Sequence, residues 1–244
     1  AEKSAIGNRQ SAIFLTPPPE QAPNSSLVHM FETIRQKLNL SESVFTGEIA
    51  DDKSWTLNFD RTRAHLSDNS KLKTQNSKLI LGTAFSFVHL LDFLLEKNLK
   101  IQLPENSIVM ETGGYKNRSR SLPKEELHSL IEQFLGVPRE NIICEYGMSE
   151  LSSQAYDLEV RSRKSEVRSF YFPPWAKVQI ISPETGREVA DGETGLIRIF
   201  DLANVFSVAA IQTEDLGIRR GNGFELIGRA QLAEPRGCSL MTNL

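Results

Sequence analysis

The sequence predicts an α/β fold, in which a mostly parallel sheet with flanking helices is followed by a smaller antiparallel β subdomain. Up to about residue 150, short apolar runs alternate with amphipathic segments of helical period. Several of these runs end at glycine, and after about residue 165 the chain changes to short strands separated by turn sequences. Alternating strands and helices indicate a parallel sheet, whose ligands bind outside the carboxyl ends of the strands.

The first half of the chain contains four predicted core strands and three predicted helices. A polar cap at residues 24–26 starts the first helix, Pro123 suits the first turn of the third, and Gly136 ends it. Residues 44–59 are predicted as strand and turn because their apolar side chains alternate. The core strands are 11–15, 78–81, 107–111 and 141–146, and the helices are 27–40, 85–97 and 123–135.

The second half is predicted to be antiparallel. Its apolar runs are short, and the turn sequences Pro-Glu-Thr-Gly at 183–186 and Gly-Asn-Gly at 221–223 separate two pairs of them. Such spacing is typical of hairpins that pack as a sheet or small barrel. The predicted strands are 178–182, 195–200, 208–212, 218–220 and 224–228.

Composition excludes several function classes. A net charge of −3 argues against a nucleic-acid-binding protein, and no apolar run approaches the about 18 residues of a membrane span. Two cysteines, Cys144 and Cys238, make neither a disulfide framework nor a zinc site. We therefore expect a cytoplasmic protein. The first residue is Ala1, so we expect a processed chain or a part of a longer one.

Four short motifs carry candidate chemistry, and the first two follow predicted strands. Residues 111–116 read Glu-Thr-Gly-Gly-Tyr-Lys, and the paired glycines Gly113 and Gly114 let the backbone approach a flat or phosphorylated ligand. Residues 146–150 read Tyr-Gly-Met-Ser-Glu, which suits a ring on a base, a hydroxyl on a phosphate and a carboxylate on Mg²⁺. A plain turn is the alternative for the first motif, and a loop with a surface acid for the second.

The other two motifs lie in the second half. In Thr-Glu-Asp-Leu-Gly at 213–217, Asp215 is predicted to follow a strand near a turn, where its carboxylate can accept hydrogen bonds from both ribose hydroxyls. Arg229, which follows Gly228, is placed to reach ribose or phosphate. An exposed hairpin acid and a surface arginine are the alternatives.

Together the four motifs resemble the adenylate-forming superfamily of acyl-CoA synthetases, luciferases and peptide-synthetase adenylation domains. A Gly-Glu-Thr-Gly stretch at 192–195 is similar to the Gly-Glu strand that this superfamily has between the second and third motifs. Residues 110–120, 146–154 and 228–240 most resemble the acyl-protein synthetases of bacterial bioluminescence. The resemblance runs from about Ile13 to the end of the chain.

The resemblance implies a nucleotide site and a substrate-facing residue. Tyr146 would stack on or border adenine, Asp215 would bind the ribose, and Glu150 would help to hold Mg²⁺. Arg229 would lie near the ribose at a domain hinge, and His29 would face the acyl substrate, with a plain helix-face histidine as the alternative. The nucleotide-binding residues implied are Gly113, Gly114, Tyr115, Lys116, Tyr146, Gly147, Met148, Ser149 and Asp215.

The activity implied is the ATP-dependent, Mg²⁺-assisted activation of a carboxylic acid, above all a fatty acid, as an acyl-adenylate, followed by transfer to a thiol. Cys238 fits the acyl-accepting cysteine, and Arg236 beside it favours the thiolate. An inert buried cysteine is the alternative, and Cys144 is interpreted as structural. The implied catalytic residues are Cys238, Glu150 and Arg229, and an acyl-transferase and a reductase are the candidate partner proteins.

Three segments follow from this interpretation: an α/β subdomain at 1–165, an antiparallel β subdomain at 166–227, and a hinge with a C-terminal arm at 228–244. The superfamily's Ser/Thr/Gly-rich phosphate loop and its lysine-bearing C-terminal subdomain have no counterpart in this sequence. A truncated chain is one expectation from this difference. A non-catalytic or degenerate binding protein is the other, and an acid ligase that uses coenzyme A is a further alternative function.

Overall fold

The computed structural model describes residues 11–40, 42–68, 77–115, 118–157 and 168–230. The chain divides into two compact units between Ile143 and Cys144. The first unit comprises Ala1–Ile143 with Arg236–Leu244, and the second comprises Cys144–Pro235. The predicted α/β class is confirmed, while the three predicted segments remain a prediction.

A parallel sheet forms the centre of the first unit. Four strands are hydrogen-bonded side by side in the order β2-β1-β5-β6, and every pair is parallel. Two further strands, β3 and β4, form a separate antiparallel hairpin. The strands are β1 Ser11–Phe14, β2 Val44–Phe45, β3 Gly47–Ile49, β4 Trp55–Leu57, β5 Lys78–Thr83 and β6 Ile108–Thr112.

Four α-helices accompany this sheet: α1 Ser26–Lys37, α2 Phe59–Ser67, α3 Ala84–Glu96 and α4 Lys124–Leu135. The Ser25 side chain caps α1 as predicted, by accepting from the amide of Val28. Gly136 ends α4 in the left-handed conformation, with φ of 67°, which glycine adopts without steric cost. Helix α3 is the most buried helix. Its Phe87, Val88, Leu90, Leu91 and Leu94 join the sheet residues in one hydrophobic core.

Helix α2 was not predicted, and Phe59 begins this helix instead of ending a strand segment. The Asn58 side chain caps it by accepting from the amide of Arg61 at 3.0 Å. Only Thr62 and Leu66 of this helix are buried, so the sequence carries almost no helical periodicity there. At its other end the Lys78 ammonium donates to the carbonyls of residues 65, 66 and 68 at 2.7, 2.7 and 3.0 Å.

The second unit is dominated by an antiparallel sheet in the order β12-β11-β10-β9. The chain passes from the first unit to the second within β7, whose last residues pair antiparallel with β8. An aromatic and aliphatic core fills this unit, with Phe170, Ile197, Ile199 and Phe224 fully or almost fully buried. The strands are β7 Ile142–Tyr146, β8 Ala155–Tyr156, β9 Ala176–Ile181, β10 Thr194–Asp201, β11 Ala210–Arg220 and β12 Gly223–Arg229.

One correction concerns the third motif. Residues 208–212 and 218–220 were predicted as two strands with the acidic motif between them, near a turn. They are instead parts of one eleven-residue strand, β11, and Asp215 lies in its interior. A register shift between Leu216 and Gly217 interrupts the pairing with β12. The strand continues through the motif because β10 and β12 pair with β11 on both sides.

No helix in the described ranges combines the length and the apolar character that a membrane crossing needs.

Candidate functional site

Tyr146, the last residue of strand β7, packs in the core of the second unit. Its ring is only 7% exposed and makes edge contacts with Phe170, Phe172 and Phe224, with centroids 6.1, 6.4 and 5.3 Å away. Such T-shaped pairs align the positive ring edge with a neighbouring π face. The ring is therefore held in one orientation, and its hydroxyl points to a fixed place.

That hydroxyl donates to Asp215 Oδ2 at 2.8 Å. Burial, together with the adjacent Asp215 charge, raises the pKa of the Tyr146 phenol well above its ordinary value. Tyr146 is therefore a permanent donor at physiological pH. The Asp215 side chain is 20% exposed, so part of this carboxylate still faces solvent.

Arg229 lies directly opposite Asp215, because β11 and β12 pair these two residues. Its Nε is 3.6 Å from Asp215 Oδ1, and its terminal nitrogen Nη2 donates to Glu214 Oε2 at 2.6 Å. The amide of Asp215 donates to Thr213 Oγ1 at 3.1 Å. The structure thus brings together Tyr146, Asp215 and Arg229, three residues that the sequence assigned to one nucleotide site.

The rest of the second motif forms an exposed turn after β7. A Cβ added to Gly147 would collide with the end of the Glu145 side chain, which would have to move. Met148 packs on the aromatic core, whereas Ser149 and Glu150 are exposed. In the described residues no three His, Cys, Asp or Glu side chains cluster in a way that would hold a metal ion. That the Glu150 carboxylate faces Mg²⁺ remains a prediction.

Two polar residues that the sequence analysis missed contact this turn. Asp201, the last residue of β10, accepts hydrogen bonds from Ser152 and Ser153. Asn204, in the connection to β11, donates to the carbonyl of Glu150. The sequence carries no local motif that marks either residue. Only the long-range pairing of strands reveals what they contact.

In the first unit, the first motif begins with the last two residues of β6 and continues into the loop that follows. Gly113 adopts a φ of 66°, and nothing lies within 4 Å of a Cβ added to Gly114, so the backbone here is open to a ligand. The Tyr115 hydroxyl donates to the Leu122 carbonyl at 2.8 Å. Lys116 lies outside the described residues. Roles of these residues in adenine binding remain predictions.

The remaining candidate residues are His29, Cys144 and Cys238. His29 is exposed on α1, and its contact with an acyl substrate remains a prediction. Cys144 is buried in β7, and its amide donates to the fully buried Asp157 at 2.5 Å, which agrees with a structural cysteine. Cys238 lies outside the described residues, so its proposed acyl transfer remains a prediction.

Comparison with known proteins identifies the family. A family model described as the acyl-protein synthetase LuxE matches residues 10–244. The chain belongs to the LuxE acyl-protein synthetase family. This membership confirms the resemblance predicted from the four motifs.

Two curated relatives of this LuxE-family chain carry the name long-chain-fatty-acid–luciferin-component ligase. The one from Aliivibrio fischeri is 26% identical over 218 residues, which is 83% of this chain and 54% of that protein. The one from Vibrio harveyi is 25% identical over 187 residues, covering 72% of this chain and 48% of that protein. The chain therefore spans about half the length of the curated relatives it matches.

Solved structures with the same fold include an ATP-bound protein and a long-chain-fatty-acid–CoA ligase. ATP-bound MatB from Rhodopseudomonas palustris superposes with a TM-score of 0.57 at 14% identity, over 90% of this chain and 40% of that one. The long-chain-fatty-acid–CoA ligase FadD1 from Archaeoglobus fulgidus gives 0.57 at 15% identity, over 92% and 44%. These matches show that the fold is that of adenylate-forming enzymes.

Proposed function

We propose that this LuxE-family protein activates a long-chain fatty acid with ATP as an acyl-adenylate and transfers the acyl group to a thiol. The observation that supports it most is the cluster of Tyr146, Asp215 and Arg229 in the second unit. A partly exposed carboxylate held by a phenol and a guanidinium is suited to a nucleotide ribose.

The ribose assignment follows from the acceptor capacity of Asp215. An ionised carboxylate offers about four lone-pair positions. Tyr146 occupies one on Oδ2, and Arg229 lies near Oδ1 at 3.6 Å. The remaining positions are available to the two vicinal ribose hydroxyls, which are donors. Charge-assisted bonds of this kind are about twice as strong as neutral ones, so the carboxylate contributes to ATP affinity.

The exposed Glu150 fits a nucleotide-associated Mg²⁺. This ion takes only one or two protein carboxylates, because phosphate oxygens and water complete its octahedral shell. When bound, Mg²⁺ neutralises charge on the phosphate oxygens during nucleophilic displacement. Ser149, next to Glu150, is placed in the same exposed turn and is proposed to contact phosphate.

The proposed chemistry has two steps. A carboxylate oxygen of the fatty acid attacks the α-phosphorus of ATP, the bond to the β-phosphate oxygen breaks, and pyrophosphate leaves. A thiolate then attacks the acyl carbonyl carbon, and AMP leaves with the carboxyl-derived oxygen. Negative charge develops on phosphorus and carbonyl oxygens in turn, and cationic groups such as Arg229 stabilise it. Cys238 is the proposed thiol.

The substrate class is proposed from the names of the two curated relatives, which are ligases of long-chain fatty acids. Acyl-transferase and reductase partners and a cytoplasmic location also remain proposals. Coenzyme A as the acceptor is the nearest alternative chemistry, and a non-catalytic nucleotide-binding protein is the alternative of another class.

Replacing Asp215 tests the ribose assignment. We expect Asp215→Ala to weaken ATP binding about 10- to 100-fold, since hydrogen bonds to charged groups contribute about 1.5–3 kcal/mol. Isothermal titration of the full chain with ATP and Mg²⁺ measures this. Asp191→Ala is the matched control, because Asp191 accepts from a backbone amide at the β11–β12 turn instead. Equal ATP affinity in the two variants would contradict the assignment.

Replacing Cys238 tests the acceptor. We expect intact-mass spectrometry after incubation with ATP, Mg²⁺ and long-chain fatty acids to detect a hydroxylamine-labile acyl adduct on the full chain. Cys238→Ser should abolish this adduct and leave fatty-acid-dependent ATP–pyrophosphate exchange intact, because the first step does not use the thiol. An adduct that persists in Cys238→Ser excludes this cysteine, and exchange without any adduct favours a soluble thiol.

A further inference from the structure

A buried carboxylate holds the turn that carries Glu150. Asp201 is 0% exposed, although it is ionisable. Its Oδ2 accepts from the amide of Ser152 at 2.9 Å, and its Oδ1 accepts from Ser153 Oγ at 2.8 Å and the amide of Ala203 at 3.0 Å. The indole of Trp175 donates to the same Ser153 hydroxyl at 3.0 Å, which extends the network.

Asn204 holds the preceding residues of the same turn. Its Nδ2 donates to the carbonyl of Glu150 at 2.8 Å and to that of Val208 at 3.0 Å. Its Oδ1 accepts from Ser152 Oγ at 3.3 Å. Asp201 and Asn204 therefore attach the β10–β11 connection to residues on both sides of Leu151. All these groups belong to the second unit.

Burying a carboxylate is costly unless hydrogen bonds compensate it fully. Strand β10 has partners on both sides, β9 and β11, and does not need this carboxylate to form. The turn from Gly147 to Gln154, by contrast, has no strand or helix of its own. The three hydrogen bonds of Asp201 end on this turn and on the start of the β10–β11 connection. The hydrogen bonds of the buried Asp201 carboxylate therefore fix the backbone beside Glu150.

We infer that Asp201 and Asn204 are positioning residues that fix the Glu150 turn for a divalent cation bound with a nucleotide. The inference rests on the proposed function, in which the Glu150 carboxylate faces Mg²⁺. Mg²⁺ demands near-ideal octahedral geometry, so a ligand on a loose turn would bind it weakly. Groups that hold a ligand in its productive place, without contacting the ion, set the affinity in such sites.

Two measurements on the full chain test this inference. The first is binding of Mn²⁺ in the presence of ATP, followed through the electron paramagnetic resonance signal of free Mn²⁺. The second is hydrogen exchange of peptides that cover residues 147–154. We expect Asp201→Asn to weaken Mn²⁺ binding about 10-fold and to speed exchange selectively in those peptides, because Asn has one acceptor oxygen where Asp has two, and its NH₂ group can only donate. Asp191→Asn, the matched control, should leave both unchanged.

Asn204→Ala provides a second variant that does not depend on a buried charge, since Asn204 is only half-buried. We expect about a fivefold loss of Mn²⁺ affinity from the missing bond to the Glu150 carbonyl. Asn204→Asp keeps the acceptor for Ser152 but loses the donor, so it should resemble Asn204→Ala. Should Asp201→Asn fail to fold, these two variants decide the question.

The outcomes separate this inference from the proposed function. A wild-type chain that binds neither ATP nor Mn²⁺ with ATP overturns both. A wild-type chain that binds them, with Asp201→Asn and Asn204→Ala binding equally well, overturns only the positioning role. Faster exchange throughout the second unit, without selectivity for residues 147–154, also overturns it, because it indicates a general structural role.

Discussion

The two units hold their candidate ligand-binding residues by different means. In the first unit, Gly113 and Gly114 follow β6 directly, and the backbone conformation alone makes them accessible. In the second unit, Tyr146, Asp215 and Arg229 come from three strands and are linked side chain to side chain. The first arrangement depends on a hydrocarbon core beneath the sheet, and the second depends on polar pairs, so the two should respond to different substitutions.

The largest effect is expected from the hydrocarbon core of the first unit. Leu90→Ala should lower the free energy of unfolding by about 3 kcal/mol, because it removes a fully buried side chain and leaves a cavity. Leu95→Ala in the same helix should change it by less than about 0.5 kcal/mol, since Leu95 is 59% exposed. Urea denaturation measures both. Similar losses would show that α3 does not stabilise the first unit through its buried face.

An intermediate effect is expected in the second unit, where one hydroxyl is removed. Tyr146→Phe should cost about 1 kcal/mol of stability and about fivefold in ATP affinity, because Asp215 loses its buried donor. Tyr156→Phe makes the same chemical change in the same unit, at a phenol whose charged neighbour is Glu145, and should leave ATP affinity unchanged. Thermal unfolding and calorimetric titration distinguish the two. If both variants bind ATP like the wild type, the phenol does not orient the carboxylate.

The smallest effect is expected from an exposed ion pair of the first unit. The Arg139 guanidinium, through a hydrogen bond and its charge, lowers the pKa of the Glu125 carboxyl below its ordinary 4.5. Because the folded-state pKa is the lower one, the stabilisation is present above pH 4.5 and is lost as the pH falls through the folded-state value. Arg139→Gln should cost about 0.5 kcal/mol at pH 7.

That cost should vanish in acid, which denaturation curves at a series of pH values below 4.5 can follow. Arg198→Gln is the control from the second unit, because Arg198 bonds to the neutral side chain of Gln212 at 2.6 Å. Its effect on stability should not change over this pH range. A cost for Arg139→Gln that stays constant in acid would exclude the ion pair as its cause.

Local signals were sufficient for much of this fold. The strand ends, the capped helix α1, the apolar helix α3 and the Gly136 stop each depend on a few neighbouring residues, and each was found at or near its predicted position. The four family motifs could also be recognised from the sequence, because each consists of a few consecutive residues. Family membership then confirmed their shared origin.

Features that depend on distant partners were not predicted. Strand β11 runs through the acidic motif because β10 and β12 pair with it on both sides, and the sequence of the motif itself suggests a turn. Helix α2 is stabilised by Asn58 and by the ammonium of Lys78, which is ten or more residues away along the chain. Asp201 was missed for the same reason, since its partners in the Glu150 turn, Ser152 and Ser153, lie 49 and 48 residues earlier.

The hydrogen bond between Tyr146 and Asp215 joins residues 69 positions apart in the chain. Contacts of such long range carry a high loop-closure entropy and form late, after local elements have collapsed. During synthesis, β12 must emerge from the ribosome before Arg229 can pair with Asp215. We therefore expect the proposed nucleotide site to form only after residues 223–229 have been synthesised, and nascent chains that lack them to be unable to bind ATP.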